Sequence, residues 1–381
     1  IYKNTSRQML YVANTEYEAK KLYEELSVYM KSKVEFLGTN ELLFYSLDAR
    51  DRKLDARRLK TYFKLFKKEK IILVTYTDVL AKKYVPKSII MDNVFNLKVG
   101  QTVDIESLSK SLVHLGYQRV SKVEGFGQFS VRGGIVDIFT LLYDYPIRLE
   151  FFDDEIDSIR EFDVYTQKSV DKMKKVTITP SRDFIYPEDV SVGVEKIKSE
   201  TSDSTDLDIM RNIEKIERKE YFDGLENYIE YLYDGKYESL IEYLSDDAVV
   251  FVDDIAHGKE RYKNLSSEFK DNYTLNLERG LALKTQGNLL FSMYDIVYRL
   301  KNRKAIFNSL LPKIVNDVDI KEQFTLNSRD IPGYKGRLDL FIEEIKRLRH
   351  IGYKIVIATA TTERAKKIHN LLSENGIESI Y

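Results

Sequence analysis

Hydrophobic and polar positions alternate with a period of two between residues 129 and 162. Turn-forming residues interrupt this alternation at 133–134, 144–146 and 153–154. The pattern is typical of a small antiparallel meander that has one buried face and one solvent-exposed face. Over 147–152 the period of two predicts two sets of side chains on opposite faces: Ile147, Leu149 and Phe151 inside, and Arg148, Glu150 and Phe152 outside.

Three residues of the predicted exposed face suggest a binding site: Arg132, Arg148 and Phe152. Two arginines beside a phenylalanine that would ordinarily be buried are typical of a protein–protein hot spot. A cluster of ordinary surface residues, in which Glu150 neutralises an arginine, explains the same composition equally well. The pattern alone leaves both interpretations open.

The pattern changes on either side of the meander, where short apolar strands alternate with amphipathic helices. Strands are predicted at 9–13, 34–37, 70–75, 248–254 and 353–359. Predicted helices follow Asn14 or Thr15, cover 53–68, begin near Thr77, cover 105–115 and run from Thr361 or Thr362 to about Glu374. Residues 190–244 are polar and helical, with a surface loop at 200–208.

Strands that alternate with helices predict an α/β fold with a parallel, doubly wound sheet. The meander predicts an α+β domain inserted into that fold. We therefore expect four segments: the first part of the α/β domain (1–95), the inserted domain (96–180), the second part of the α/β domain (181–328) and a small, truncated α/β domain (329–381).

Composition restricts the possible functions only loosely. The chain has 381 residues, a hydrophobic share of 43%, a charged share of 32% and a net charge of −1. This balance suits a globular protein of two or three domains and argues against a general nucleic-acid binder. No cysteine is present, and no apolar run reaches the ~18 residues of a membrane span. We therefore expect a cytoplasmic protein without disulfides or membrane contact.

Nucleotide chemistry is suggested at one point only. Asp253 and Asp254 end a hydrophobic strand, where a nucleotide hydrolase would hold Mg²⁺ and orient water. However, no Gly-Lys-Ser/Thr phosphate loop occurs in the sequence. The pair is therefore interpreted as an ordinary acidic strand end or as a vestigial Walker B motif, and no catalytic, cofactor-binding or metal-binding residue is predicted.

Other candidate residues are better explained without a site. The four histidines (His114, His257, His350 and His369) lack the spacing of metal ligands. The acidic run 153–155 has the composition of a turn. The basic helix 53–68 could contact phosphates through Arg57, Arg58 and Lys64, although a solvated helix face is the commoner case.

Two stretches of the meander carry a family resemblance: RVSKVEGFGQFSVRGGIVDIF (119–139) and PIRLEFFDDEIDSIREFDVYTQKSV (146–170). They closely resemble the amino-terminal module of the bacterial transcription-repair coupling factors (Mfd), which is similar to the damage-recognition helicase UvrB. Residues 221–228 and 244–262 also resemble that module. The resemblance implies a degenerate RecA/helicase-like domain interrupted by a UvrA-binding domain.

The resemblance also implies roles for named residues. Arg132, Arg148 and Phe152 match the positions that contact UvrA in the family. It implies a recruitment module that needs no cofactor of its own. ATP and Mg²⁺ would serve a translocase motor outside this segment, and RNA polymerase and double-stranded DNA would bind the rest of the parent protein.

Two alternatives stay open. The first is a UvrB-like ATPase that binds DNA damage, although UvrB has a long hairpin where residues 36–51 are short, and a glutamate where Asp254 stands. The second is a DNA-binding domain that uses the basic helix 53–68.

Overall fold

The computed structural model describes residues 2–39, 52–202, 205–309, 318, 320–326, 333–334, 337–359 and 361–380. The chain divides into two compact units, Ile1–Asp319 and Ile320–Tyr381. Residues 40–51, which include most of the segment compared with the UvrB hairpin, lie outside the described residues.

Strands form the framework of the first unit. In the described residues they are β1 (Met9–Ala13), β2 (Val34–Phe36), β3 (Ile72–Tyr76), β4 (Phe95–Lys98), β5 (Gln118–Arg119), β6 (Gln128–Arg132), β7 (Ile135–Ile138), β8 (Ile147–Phe152), β9 (Glu155–Phe162), β10 (Ser169–Met173), β11 (Lys175–Ile178), β12 (Val249–Asp253) and β13 (Lys304–Asn308).

Helices pack against these strands, and two further helices lie in the second unit. In the same described residues they are α1 (Glu16–Met30), α2 (Arg52–Phe66), α3 (Thr77–Ala81), α4 (Lys87–Asp92), α5 (Ile105–His114), α6 (Ser191–Glu200), α7 (Leu207–Glu217), α8 (Ile229–Tyr233), α9 (Leu240–Tyr243), α10 (Ile255–Glu278), α11 (Met293–Lys301), α12 (Leu338–His350) and α13 (Thr362–Glu374).

A five-stranded parallel sheet has the order β13-β12-β1-β3-β2. All five residues of β3 are buried, as expected for a central strand that is covered by helices on both faces. The predicted α/β fold with a parallel sheet is therefore confirmed. Strand β13 was not predicted, because its apolar residues Ala305, Ile306 and Phe307 are too few to give a clear pattern.

The meander forms a separate six-stranded sheet, with the order β10-β9-β8-β7-β6-β5. Its pairs are antiparallel except for the short parallel pair β5–β6. Between β6 and β7, Gly133 has a φ of 58°, and a Cβ on Gly134 would lie 3.0 Å from the carbonyl oxygen of Phe151. Glycine at both positions thus permits a tight hairpin close to β8.

Each sheet has its own hydrophobic core. Helix α5 covers the inner face of the six-stranded sheet with Leu108 and Leu112, and meets a core that includes Phe129, Ile147 and Leu149. Ile147 and Leu149 are fully buried, which confirms the predicted alternation. The core of the parallel sheet includes helices α6–α9, which lie within the predicted helical segment 190–244.

The second unit packs α12 and α13 around a small core of Ile342, Ile345, Leu372 and Ile377. The strand predicted at 353–359 was wrong, because this segment is in no sheet. A strand exists only where a neighbouring chain supplies hydrogen bonds, and the described residues of this unit include no paired strand. No helix in the described part of the chain is long and apolar enough to cross a membrane.

Candidate protein-interaction face

The outer face of the six-stranded sheet, opposite its core, carries most of its charged residues. We define this outer face by Arg132, Asp137, Arg148, Glu150, Phe152 and Arg160. Strand register fixes their neighbours, since Asp137 is opposite Arg148 and Arg148 is opposite Arg160. Side chains opposite each other on one face of a sheet lie close enough to interact. The outer face is therefore a contiguous polar surface across four strands.

Asp137 lies at the centre of this surface, and its side chain is only 2% exposed. Its Oδ2 accepts hydrogen bonds from Arg132 Nη2 at 2.6 Å and from Arg148 Nη2 at 2.9 Å, and its Oδ1 accepts one from Arg148 Nε at 2.7 Å. Asp137 was not predicted from the sequence as a residue of the binding site. The tight turn at 133–134 was a usable signal, because it places Asp137 opposite Ser130, on the same face as Arg132.

Arg148 lies on the predicted outer face, but its side chain is only 12% exposed. Its Nη2 also donates to Gln167 Oε1 at 3.0 Å, and its guanidinium lies 4.2 Å from the centre of the Phe162 ring. The hydrogen bond to Asp137 raises the pKa of Arg148 above its ordinary value. Arg148 therefore points outward from the sheet but is largely covered, whereas Arg132 is 47% exposed.

Glu150 does not neutralise either predicted arginine. Its carboxylate accepts a hydrogen bond from Ser158 Oγ at 2.6 Å and forms an ion pair with Arg160. The interpretation that Glu150 pairs with an arginine was right in kind, but its partner is Arg160. Asp137 is the carboxylate that balances Arg132 and Arg148.

Phe152 ends β8 and is 80% exposed, as the alternation predicted. The next residue, Asp153, has a φ of 55° and starts the hairpin turn to β9. Composition had already favoured a turn at 153–155, and the structure confirms the turn at Asp153 and Asp154. A large exposed ring at the end of a strand can enter an apolar pocket of another protein.

The acidic strand end Asp253-Asp254 lies elsewhere, at the carboxyl edge of the parallel sheet. The Asp254 carboxylate accepts a hydrogen bond from the N–H of His257 at 3.4 Å, so it caps α10. Asp253 Oδ1 accepts one from Asn308 Nδ2 at 3.1 Å. Burial, followed by the charges of Glu18 and Asp254, raises the pKa of Asp253.

Helix α1 begins at the same edge, where a nucleotide-binding protein would place phosphates. Here the backbone N–H and the hydroxyl of Thr15 both donate to Glu18 Oε2, each at 3.0 Å, so a carboxylate of the same chain takes these donors. Nearby, Arg261 Nε donates to Asp78 Oδ1 at 3.0 Å. The polar groups of this edge thus pair with one another. The vestigial Walker B interpretation of Asp253 and Asp254 stays a prediction.

Basic side chains of helix α2 pair with other residues of the same chain. Arg58 forms an ion pair with Asp183, and their side chains are 18% and 16% exposed. Arg57 Nη2 donates to the hydroxyl of Tyr23 at 3.0 Å, and Lys64 pairs with Glu35. A DNA contact by this helix stays a prediction, but Arg58 could take part only by breaking a mostly buried ion pair.

The sequence predicts no metal site at the four histidines. Among the described residues, no group of three or more His, Cys, Asp and Glu side chains could hold a metal ion. Burial, followed by the charge of Lys219, lowers the pKa of the partly covered His114 below its ordinary value.

The outer face lies in a segment that matches a known domain family. Residues 95–184 match the family model described as the UvrB interaction domain. All six residues of the outer face fall within that match. Residues 95–184 are therefore similar to the UvrB interaction domain, which is the class of domain that the resemblance at 119–170 indicated.

Comparison with curated proteins extends the likeness to the whole chain. It is 28% identical to the transcription-repair-coupling factor of Staphylococcus epidermidis, 27% identical to that of Staphylococcus haemolyticus and 28% identical to that of Staphylococcus aureus. Each alignment covers 100% of this chain and 33% of the relative. The chain thus spans about a third of the length of the curated relatives it matches, and the resemblance to their amino-terminal region is confirmed.

Proposed function

We propose that this chain recruits UvrA through the outer face of its six-stranded sheet. The observation that carries the proposal is Phe152, which is 80% exposed on the same outer face as Arg132, within the segment that matches the UvrB interaction domain. An exposed aromatic ring next to a guanidinium is the usual make-up of a binding hot spot. Both residues belong to the set (Arg132, Arg148 and Phe152) that the resemblance aligned with UvrA-contacting positions.

The physical chemistry of the face supports binding to a protein. Burying Phe152 against a partner removes apolar surface from water, which is favourable by about 25 cal/mol for each Å². Arg132 gives one hydrogen bond to Asp137 and keeps further N–H donors for a partner. The inner face of the sheet is packed against α5, so these side chains are presented on a rigid support.

The relatives lead to a wider proposal for the complete protein. Their name is transcription-repair-coupling factor, and we propose that this chain is the part that delivers repair proteins. In the complete protein, a motor outside this chain would use ATP and Mg²⁺ to release stalled RNA polymerase from double-stranded DNA. We further propose that the parallel sheet belongs to a degenerate RecA/helicase-like domain, that the whole chain has the four segments expected from the sequence, and that the protein is cytoplasmic.

Isothermal titration calorimetry with UvrA from the same organism tests the central proposal. The wild-type chain is expected to bind, and Phe152→Ala is expected to weaken binding by at least about 2 kcal/mol, or roughly thirtyfold. The matched control is Tyr17→Ala, because Tyr17 on α1 is 77% exposed but lies outside the outer face. This control is expected to bind as the wild type does.

Three outcomes decide the proposal. Loss of binding in Phe152→Ala alone supports both the function and the face. Equal binding by the wild type and both variants would mean that UvrA docks elsewhere on the chain. No binding by the wild type would remove the recruitment function.

A further inference from the structure

We propose that Asp137 is a positioning residue that holds Arg132 in the direction in which it meets UvrA. This inference rests on the proposed function and deepens it, because it divides the outer face into residues that contact the partner and residues that act through them. Asp137 cannot itself contact a partner to any extent, since its side chain is 2% exposed. Its effect on binding must pass through its two arginines.

The Asp137 carboxylate is itself held in a fixed position. Arg148 binds both of its oxygens, through Nε at 2.7 Å and Nη2 at 2.9 Å. A two-point contact between a planar guanidinium and a carboxylate permits one orientation of the pair. Arg148 is in turn held by Gln167 and by the ring of Phe162. Asp137 Oδ2 therefore has a defined position on the sheet.

The orientation of the Arg132 guanidinium depends on Asp137 Oδ2. Arg132 is the last residue of β6, directly before the glycine turn, and it is 47% exposed. Its Nη2 hydrogen bond to Asp137 Oδ2, at 2.6 Å, is the contact that orients the exposed guanidinium. A long side chain that is ordered before binding loses less entropy when it binds. Asp137 thus prepares Arg132 for its partner.

The net charge of Asp137, Arg132 and Arg148 indicates the chemistry of the partner. Asp137 contributes one negative charge and the two arginines contribute two positive charges, so the cluster keeps one positive charge. That charge is most accessible at Arg132, because Arg148 is only 12% exposed. The complementary surface on UvrA is therefore one carboxylate for Arg132, beside an apolar pocket for Phe152.

The test compares Asp137→Asn with Ser130→Ala by calorimetry against UvrA. Asparagine keeps the shape of Asp137 but loses the charge that attracts Arg132. Ser130 is the matched control, because it is 1% exposed, lies opposite Asp137 and has a hydroxyl group without a hydrogen-bond partner. We expect Asp137→Asn to weaken binding by about tenfold, within the range measured for coupled neighbours, and Ser130→Ala to leave it unchanged.

A second readout separates positioning from a general structural role. In a chain that already carries Arg132→Ala, adding Asp137→Asn is expected to cause less than about a twofold further loss, because the effect passes through Arg132. Losses that multiply instead would overturn the inference. The Arg148 Nε–H signal in nuclear magnetic resonance spectra should also shift in Asp137→Asn and stay in place in Ser130→Ala.

A further variant covers the case in which Asp137→Asn does not fold. Replacing a buried ion pair by apolar residues of similar volume is often tolerated. Arg132→Ala is therefore made both in the wild type and in Asp137→Leu/Arg148→Leu, and it is expected to weaken UvrA binding about tenfold less in the second background, where Asp137 no longer positions Arg132. An equal loss from Arg132→Ala in the two backgrounds contradicts the inference while leaving the proposed function intact. Failure of the wild type to bind overturns the proposed function and, with it, this inference.

Discussion

The outer face of the six-stranded sheet and the carboxyl edge of the parallel sheet both collect charged residues, but they use them differently. At the carboxyl edge, Asp254 caps α10, Glu18 accepts from Thr15, and Asp253 accepts from Asn308. On the outer face, Arg132 remains 47% exposed and Phe152 80% exposed. One region satisfies its polar groups within the chain, and the other leaves a cation and a ring facing the solvent.

This difference distinguishes a binding face from a cluster of charged residues that only resembles a functional site. Charge alone does not distinguish the two regions, because both hold buried or half-buried carboxylates. What distinguishes them is whether hydrogen-bonding capacity and apolar surface are left over after the chain has folded. By that measure the basic helix α2 resembles the carboxyl edge, since Arg58 and Lys64 are paired internally.

The largest effect is expected for Arg58→Ala, which tests whether α2 is structural. Removing Arg58 breaks its mostly buried ion pair with Asp183, so we expect the free energy of unfolding to fall by about 3 kcal/mol. Urea denaturation measures this change. Arg57→Ala is the adjacent control and is expected to change stability by less than about 1 kcal/mol. Similar small effects for both variants would contradict the structural assignment of Arg58.

The next effect concerns the outer face itself. Arg132→Ala removes the exposed guanidinium and is expected to weaken UvrA binding by about 2 kcal/mol while changing stability little. Calorimetry at two salt concentrations measures both the affinity and its ionic component. Arg211→Ala is the control, because Arg211 is 69% exposed but lies on α7. An equal loss in both variants would show a general charge effect instead of a defined face.

A smaller effect is expected at the carboxyl edge. Asp254→Ala removes the cap of α10 and is expected to lower stability by about 1 kcal/mol, whereas Asp254→Asn keeps a capping oxygen and most of that stability. Thermal or urea denaturation distinguishes the two. If alanine and asparagine were equally destabilising, the capping role would be ruled out.

The smallest effect is a pH dependence at Asp253. Its pKa is raised in the folded chain, chiefly by burial, so the folded state binds the proton more tightly than the unfolded state does. Stability is therefore lost as pH rises from the ordinary carboxyl pKa through the raised one. Asp253→Asn is expected to stabilise the chain by about 0.5 kcal/mol at pH 7, and this gain should vanish in acid. A gain that persists unchanged at low pH would mean that ionisation is not its cause.

Residues close in sequence allowed most of the outer face to be predicted. The period of two places Leu149 inside and Phe152 outside, because alternate side chains of a strand point to opposite faces. The burial of Arg148 could not be read in the same way. It depends on the ring of Phe162 and on Gln167, which approach only after β9 and the following turn are in place.

Long-range contacts account for the rest of what the sequence left open. Arg58 and Asp183 are 125 positions apart, so the sequence around Arg58 does not indicate this ion pair. The strand expected at 353–359 had the right composition, but pairing depends on a neighbour that local pattern cannot supply. Local composition therefore predicts helices and candidate strands, but contacts between distant residues decide whether a strand forms and which side chains are paired.

The most direct test of the account is hydroxyl-radical footprinting of the chain with and without UvrA, read by mass spectrometry. Phe152, Tyr17 and Tyr294 are each 77% to 80% exposed, so all three should be oxidised in the free chain. The account predicts that UvrA protects Phe152 and leaves Tyr17 and Tyr294 as reactive as before. Protection of Tyr17, beside the carboxyl edge on α1, with Phe152 still fully reactive, would contradict it.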